Sequence, residues 1–364
     1  MSPDVNEFAG NIISALDESS FFDKDDLAER LGLRKEELEA ALREYFFGKS
    51  FAVRAYPNYG RLGLKSVTAF IDFSFKWAAI APNLLDLLTR NGFLVTWKKP
   101  FGGYTYITHH AVPPAYLKDY YLLFDHLVDL GVFSSYKAYE FEQQPEAFSY
   151  SPSVFDYRNG DWKEGIFSGE KVPRRLKDPK PKPFNNLDEI DLSIIDQLQH
   201  TSLQTQESLA KSINLPIDVV SEHLQEHVIK EKLILKYVMD IFNAKLLSSQ
   251  TAVLTVFCNG MSKDASSEAQ KVVLAHPYTV YVNLGEQNVE YDLQMPWRAL
   301  STISRSLDKT MFGLKPAEYN FHILSLSDIF TYTIPLQQFK NGKWSFNEAV
   351  TFDSIKTYLE NNAI

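Results

Sequence analysis

Two sets of residues in this chain have types and spacings that could do chemistry. The first is His109-His110, reached shortly after Trp97-Lys98-Lys99-Pro100, so that two imidazoles and two ammonium groups fall on neighbouring strand-like runs. Imidazole titrates near neutrality and lysine is a compact point charge, which makes such a cluster the obvious place to look for proton or anion chemistry. Adjacent strand residues point to opposite faces, so one imidazole can face the working side of a sheet while the other does not. A lone exposed or core histidine is the simpler account of the pair and the preferred one. The second set is a group of cations and small polar residues on two short helical windows: Arg34, Lys35 and Arg43 in one, Ser221, His223 and Lys230 in the other. Arg34 and Lys35 fall where a helix begins, and a helix N-terminus already favours anions. Walker-type glycine-rich loops, HExxH, CxxC and GxSxG patterns are absent from the sequence.

The elements that must position these residues occur twice. Asp25-Asp26-Leu27-Ala28-Glu29-Arg30-Leu31-Gly32-Leu33 has a counterpart in Glu207-Ser208-Leu209-Ala210-Lys211-Ser212-Ile213-Asn214-Leu215, and without a gap Leu38 then matches Val220 and Leu42 matches Leu224. In both, Leu-Ala lies in a short helix and Gly or Asn stands where a left-handed turn is needed. A second helix with apolar residues four apart follows, which is helix-turn-helix logic. Preceding helices are marked by Phe8, Ile12, Ile13 and Leu16 in the first copy and by Ile190, Ile194, Ile195 and Leu198 in the second, the latter with Asp188 or Asp191 as a cap. Each unit runs into β-rich sequence, Val67–Phe73 and Thr251–Phe257, the second by way of Lys245-Leu246-Leu247-Ser248-Ser249. A helix, two strands around a turn, a second helix and a last strand then follow in each copy, a split βαβ plan.

The fold class expected is therefore α+β, with two winged or helix-turn-helix domains alternating with two ferredoxin-like βαββαβ domains. The boundaries read as a helix-turn-helix domain over 1–58, a ferredoxin-like domain over 59–142, a Pro-rich basic linker over 143–186, a second helix-turn-helix domain over 187–236, a second ferredoxin-like domain over 237–331 and a C-terminal extension over 332–364. In the linker, Arg174, Arg175, Lys177 and Lys180 face only Asp178, a solvated spacer or a phosphate contact. In the extension, Trp344, Phe346, Phe352, Ile355 and Leu359 suggest a packed hairpin or strand followed by a helix. A net charge of -9 argues against a histone-like coat and leaves room for a local basic surface. The single cysteine, Cys258, rules out an intrachain disulfide and any multi-cysteine metal site, and reads as a small buried hydrophobe. No apolar run approaches the ~20 residues that span a bilayer, and Met1-Ser2-Pro3-Asp4 is unlike a signal peptide, so a cytoplasmic location without membrane partners is expected.

The run Leu187-Asp188-Glu189-Ile190-Asp191-Leu192-Ser193-Ile194-Ile195-Asp196-Gln197-Leu198, followed by Glu207-Ser208-Leu209-Ala210, resembles the opening of Lrp/AsnC-type transcriptional regulators. Lys236 to Leu246 resembles that family's connector into its ligand-sensing domain. The resemblance implies a regulator without a cofactor that binds double-stranded DNA through Arg34, Lys35, Arg43, Ser221, His223 and Lys230. It also implies an intrachain pseudo-dimer, open to further homo-oligomerisation, and a small effector such as an amino acid. The effector would bind at the sensor interface near the inter-strand turns, hence Gly102, Gly103, Tyr104, Gly285 and Tyr291. Glu36, Glu37, Glu39 and Glu44 in copy one, and Asp218, Glu222 and Glu226 in copy two, stand among the expected DNA contacts and repel phosphate. They motivate a second reading, a protein-interaction module whose helix-turn-helix elements no longer bind DNA. A third rests on a resemblance to siroheme decarboxylases, which pair two related units of this plan and carry basic residues after the second strand and a histidine near the end of the third, as Lys98, Lys99 and His110 echo; copy two has no such echo.

The regulator reading makes a direct prediction. Arg34→Ala/Lys35→Ala is expected to weaken DNA binding across sequences and to flatten the salt dependence of log K by about one per lost phosphate contact, while Ser221→Ala and His223→Ala do little. Fluorescence anisotropy at several stated salt concentrations checks it, and an unaltered slope excludes copy one as the gripping element.

Overall fold

The computed structural model describes residues 5–18, 24–45, 51–164, 171–172, 174–177, 180–202, 204–241 and 250–362. The connector stretch 242–249, with Lys245 to Ser249, and Asp178 of the linker lie outside the described residues.

The first helix-turn-helix consists of α1 (Val5–Glu18), α2 (Lys24–Arg30) and α3 (Lys35–Tyr45). Phe8, Ile12 and Leu16 of α1 are buried against Leu27, Ala28, Leu38 and Leu42, which are the residues of the repeated apolar skeleton. Gly32 turns the chain at φ +65°, and Asn214 does so at 56° in the second copy, both in the left-handed region that glycine and asparagine tolerate best. Strand β1 (Phe51–Pro57) follows. The first ferredoxin-like domain comprises β2 (Lys65–Phe73), α4 (Ala81–Asn91), β3 (Leu94–Lys98), β4 (Thr105–Val112), α5 (Leu117–Asp129) and β5 (Phe133–Glu140).

The stretch expected as a linker holds more structure than its proline content suggests. It contains the short strands β6 (Glu146–Ala147), β7 (Phe155–Asp156) and β8 (Asp161–Trp162), and it buries Phe155, Tyr157 and Trp162. Arg174 is neither solvated nor offered to phosphate. Its guanidinium donates to the carbonyls of His276 (2.6 Å) and Pro277 (3.3 Å) and lies over the Phe148 ring.

The second helix-turn-helix follows as α6 (Glu189–His200), α7 (Gln206–Ser212) and α8 (Ile217–His223), the last passing into a π turn over Leu224–Ile229. Asp188 caps α6 through a capping box with Asp191. Strand β9 (Ile234–Ile241) crosses residue 236, where the sequence suggests a boundary, and pairs antiparallel with β1 from Phe51↔Ile241 to Pro57↔Ile234. The two units are thereby joined through a two-stranded ribbon. The second ferredoxin-like domain contains β10 (Thr251–Asn259), α9 (Lys263–Ala275), β11 (Thr279–Leu284), β12 (Val289–Pro296), α10 (Trp297–Gly313) and β13 (Glu318–Ser325). The chain then forms β14 (Ile329–Thr331), just ahead of the expected start of the extension at 332, and the extension supplies the hairpin β15 (Phe339–Lys340) and β16 (Lys343–Trp344), and α11 (Glu348–Asn361).

The fold is α+β, with helix-turn-helix and ferredoxin-like parts alternating along the chain. Each ferredoxin-like sheet has an added edge strand from the chain that leaves the other domain. The orders are β14-β3-β4-β2-β5 and β13-β10-β12-β11-β6. β14 is anchored by Phe330 stacked on Trp97, with ring centroids 3.9 Å apart, and by Tyr332, whose hydroxyl accepts from the Trp97 indole N–H. The rest of the extension packs on the first domain, where Ile355 and Leu359 of α11 complete the core over α4 and α5.

Strand alternation assigns the two faces of each sheet. Val67, Ala69, Ile71 and Phe73 of β2 point toward α4 and α5; Ala252, Leu254, Val256 and Cys258 of β10, with Tyr291, Leu293 and Met295 of β12, point toward α9 and α10. Thr68 and Phe70 on one sheet, and Thr255 and Phe257 on the other, face across the gap between sheets, where Phe70 and Phe257 meet at 5.1 Å. The two sheets thus bury their second faces against each other, as such apolar strands require.

Exchanged edge strands and a shared face should make the halves interdependent. Pieces 1–186 and 187–364, co-expressed, are expected to co-purify as one complex, while each alone aggregates or associates weakly. If size-exclusion chromatography finds two folded monomers with no affinity for each other, the sheet-to-sheet contact is not what holds the chain together.

Candidate ligand cavity

The face between the sheets is polar at one end. Lys98, the last residue of β3, is buried, and its Nζ donates to Asp292 Oδ2 at 2.6 Å and Oδ1 at 2.9 Å, with Glu290 Oε1 at 3.7 Å. Thr255 Oγ1 donates to Asp292 Oδ1 (2.6 Å) and Thr68 Oγ1 to Glu290 Oε2 (2.6 Å). His109 Nε2 lies 2.6 Å from Glu290 Oε1, its ring stacked on Tyr281 at 5.1 Å. Asn283 donates to Ser66 Oγ (2.9 Å) and, more weakly, to Thr68 Oγ1 (3.4 Å). Burial opposes ionisation of Glu290, yet His109, Lys98 and Thr68 together hold its carboxyl down at about 2. A second buried pair, Lys236 Nζ with Glu146 Oε2 at 2.8 Å, ties β9 to β6.

Beside this network the sheets separate around a cavity of about 1000 Å3. Lys98, His109, Tyr281 and Asp292 line it from the sheets, Arg54 and Tyr56 from the β1–β9 ribbon, and β14 with residues 332–335 from the edge of β3. Arg90 at the end of α4 and His200 at the end of α6 add cationic or titratable groups at exposed positions. Burial raises the phenols of Tyr56, Tyr59 and Tyr281, so all three present neutral hydroxyls at physiological pH. The cavity therefore combines two arginines, Arg54 and Arg90, with the Lys98–Asp292 ion pair, neutral hydroxyls and apolar surface from Val95, Phe148 and Ile334.

The adjacent histidines divide as alternation requires. His109 joins the inter-sheet network, whereas the His110 ring packs under α5, with Nδ1 2.9 Å from Tyr120 Oη and Nε2 2.8 Å from Thr108 Oγ1. Burial, then the neighbouring His109, pushes the His110 imidazole down to about 3, so it is neutral and held in place. Lys99 donates to the Gly103 carbonyl at 2.8 Å and rests over Tyr106. Of the Lys98, Lys99 and His110 echo, only Lys98 points into the inter-sheet face, and the histidine beside it there is His109.

The expected effector residues lie elsewhere. None of Gly102, Gly103, Tyr104, Gly285 and Tyr291 lines the cavity. Gly102 and Gly103 form an exposed turn with positive φ, Tyr104 packs edge-on against exposed Phe75, and Gly285 sits against Asn288 and Glu142. Tyr291, expected at the interface, is fully buried on the helix side of its sheet; its strand neighbours Glu290 and Asp292 are the ones that reach the other domain. Sequence reasoning missed Arg54, Glu290 and Asp292. Polar residues at every second position, Glu290, Asp292 and Gln294, between apolar ones in the same strand were the signal available for the last two.

The expected DNA contacts are placed as follows. Arg34 and Lys35 are exposed at the start of α3, Arg34 bonded to Glu37 at 2.7 Å and Lys35 to Asp25 at 2.9 Å, and Arg43 is exposed further along. In the second copy Ser221 donates to Gln206 (3.0 Å), Lys230 is paired with Glu226, and His223 turns inward to Asp191 (3.0 Å). Among the described residues, no helix is long and apolar enough to cross a membrane.

Fold and cavity together define a duplicated helix-turn-helix and ferredoxin-like protein with a ligand-sized space between its halves. No protein-family profile matches the sequence, and no curated protein matches it. Among solved structures, the chain is similar over its whole length to the crystal structure of the siroheme decarboxylase NirDL (TM-score 0.53, 12% identity, 96% of this chain and 98% of that one). It is likewise similar to the same enzyme in complex with an iron-uroporphyrin III analogue (TM-score 0.55, 11% identity, 98% and 99%). At these identities the likeness is one of fold. The crystal structure of PH0061 matches 41% of this chain over 97% of its own length, with TM-score 0.30 and 18% identity.

Two outcomes are expected from the buried charges. Asp292→Leu leaves the buried Lys98 ammonium without its hydrogen-bonded partner and with only Glu290, 3.7 Å away, and should cost about 3–5 kcal/mol, much of it recovered in Lys98→Met/Asp292→Leu; urea denaturation of the parent and the two variants measures this. Glu290 has a folded pKa held below its unfolded value, so its contribution is present above about pH 4.5 and is lost as pH falls toward 2. Glu290→Gln should therefore flatten the fall in stability across that window, and an unchanged acid-unfolding profile would contradict the assignment.

Proposed function

We propose that the cavity binds a large polycarboxylate of tetrapyrrole size and that the protein acts as a siroheme-decarboxylase-like enzyme. One observation carries the reading: a cavity of about 1000 Å3 between the sheets, with Arg54, Arg90, Lys98, His109 and His200 on its walls. Small-molecule sites usually span about 300–1,000 Å3, so a single amino acid would leave most of this one unfilled, whereas a tetrapyrrole has both the bulk and the carboxylates to use it. Guanidinium groups suit carboxylates because they can bind them in bidentate fashion. The full-length likeness of fold to a siroheme decarboxylase supports the same ligand class. Loss of CO2 breaks a C–C bond and leaves an electron pair on carbon that must take up one proton. We assign that proton to His109, which lines the cavity and is held through Nε2 by Glu290.

A second reading, the DNA-binding regulator, is favoured by the exposed N-terminus of α3. The pairs that Arg34 and Lys35 make there are surface pairs, weak enough to be exchanged for phosphate. The cavity would then hold the effector, and that effector would be larger than an amino acid.

Anaerobic titration with siroheme or iron-uroporphyrin III, followed by Soret absorbance, is expected to show saturable binding that weakens about tenfold in Arg54→Ala and again in Arg90→Ala. In His109→Ala, binding should persist while release of CO2 stops. Absence of a spectral change at tens of micromolar tetrapyrrole, or equal binding by the double arginine variant, removes this ligand class. Salt-sensitive DNA binding by the same preparation would then leave the regulator.

A further inference from the structure

Away from the cavity, four metal-ligating side chains converge inside the second helix-turn-helix. Asp188 and Asp191 open α6, His223 ends α8 and His227 lies in the π turn that follows. One ligand atom from each lies within 4.8 Å of all the others. His223 Nδ1 and His227 Nδ1 are each 3.0 Å from Asp191 Oδ1, and His223 Nδ1 is 3.6 Å from Asp188 Oδ2. A tetrahedral ion with bonds of 2.0–2.2 Å separates its ligand atoms by about 3.3–3.6 Å; the separations of 3.0–3.6 Å already lie within a few tenths of an ångström of that, and the remaining ones, at most 4.8 Å, would close by no more than about 1.5 Å to seat an ion.

The supporting groups hold these side chains in place. Asp188 N donates to Asp191 Oδ2 (3.2 Å), and Asp188 Oδ1 accepts from Ile190 N and Asp191 N, leaving the other Asp188 oxygen toward the histidines. Phe184 packs edge-on against His227. The π turn, with Lys230 N bonded to Gln225 O five residues back, is the kind of irregularity that concentrates at functional sites.

The duplication within the chain supplies an independent control. In the gapless alignment of the two units, Asp191 corresponds to Ala9 and His223 to Ala41, while Asn6 and Tyr45 stand opposite Asp188 and His227. Copy one closes with Ala9 fully buried and Ala41 packed against the same core, so the helix-turn-helix does not require polar groups there. A fully buried carboxylate facing two imidazoles is an added feature of copy two, and an expensive one without a compensating charge.

We propose that Asp188, Asp191, His223 and His227 bind one divalent transition-metal ion of the Zn2+ class, which ties α6 to α8 and braces the second helix-turn-helix. Two imidazole nitrogens and two carboxylate oxygens suit Zn2+, Co2+ or Ni2+ rather than the all-oxygen preference of Ca2+ and Mg2+. The site is partly open to solvent, with the His227 side chain 28% and that of Asp188 35% exposed, so an ion can enter the folded chain.

The test uses the full chain stripped with a chelator, then titrated with Co2+ and Zn2+. One Co2+ per chain should bind with the intense visible absorbance of tetrahedral cobalt, Zn2+ should displace it, and Zn2+ should raise the melting temperature by several degrees. His223→Ala copies the alanine of the first unit and should fold, yet lose affinity at least about tenfold. Asp188→Ser keeps a helix cap and removes one ligand, so it should weaken binding in the same direction. A parent that develops no tetrahedral cobalt band, or a band of equal affinity in His223→Ala/His227→Ala, overturns the proposal. Neither result bears on the tetrapyrrole reading, because the cavity and this cluster share no residue.

Discussion

The contact between the two ferredoxin-like sheets is the constraint on which the remainder depends. An ammonium and an imidazole from one domain, Lys98 and His109, meet two carboxylates from the other, Glu290 and Asp292, at positions removed from water. Buried charges are tolerated only when paired and hydrogen-bonded, and here threonines from both central strands complete the pairing. Such a network sets the register of one sheet on the other more narrowly than apolar contact could, because a slip of one residue would leave several charges unpaired. The exchanged strands β6 and β14 reinforce the same relation, each binding the sheet that the neighbouring domain supplies.

The duplicated halves are not equivalent across this contact. Phe70 and Phe257 meet, and counting outward through the strand registers Ile107 corresponds to Glu290, His109 to Asp292 and Lys98 to Asn283. One half contributes the lysine and the imidazole and the other the carboxylates, so a symmetric repeat becomes an asymmetric interface beside the cavity. Closure of that cavity falls to the β1–β9 ribbon and the extension, segments outside the ferredoxin-like repeats.

The helix-turn-helix units show the same divergence. Both keep one apolar skeleton, which explains their common shape, but their polar residues have separate partners. Copy one directs its cations outward into exposed pairs. Copy two turns His223 inward, away from the surface where a nucleic acid would have to lie. Sequence position on a recognition helix therefore did not predict side-chain direction: buried Asp191 competes for the imidazole.

By itself the sequence determined the elements and the duplication. Apolar periodicity and turn residues are local signals, and they gave the order of α4, β3, β4, α9, β11 and β12, as well as a hairpin or strand followed by a helix in the extension. Burial of Cys258 was likewise legible, since a lone cysteine in an apolar strand has nowhere better to go. Tertiary structure alone decided which histidine of the pair faces the interface, that Tyr291 turns its back on it, and that Arg54 reaches a cavity assembled from segments nearly 300 residues apart. It also decided that a proline-rich stretch packs Phe155, Tyr157 and Trp162 instead of serving as a spacer. The physical reason is common to all of these. Alternation along a strand tells which residues share a face, but only the packing of one sheet on another tells which face becomes the interface, and pairing between charges distant in sequence leaves no local pattern to read.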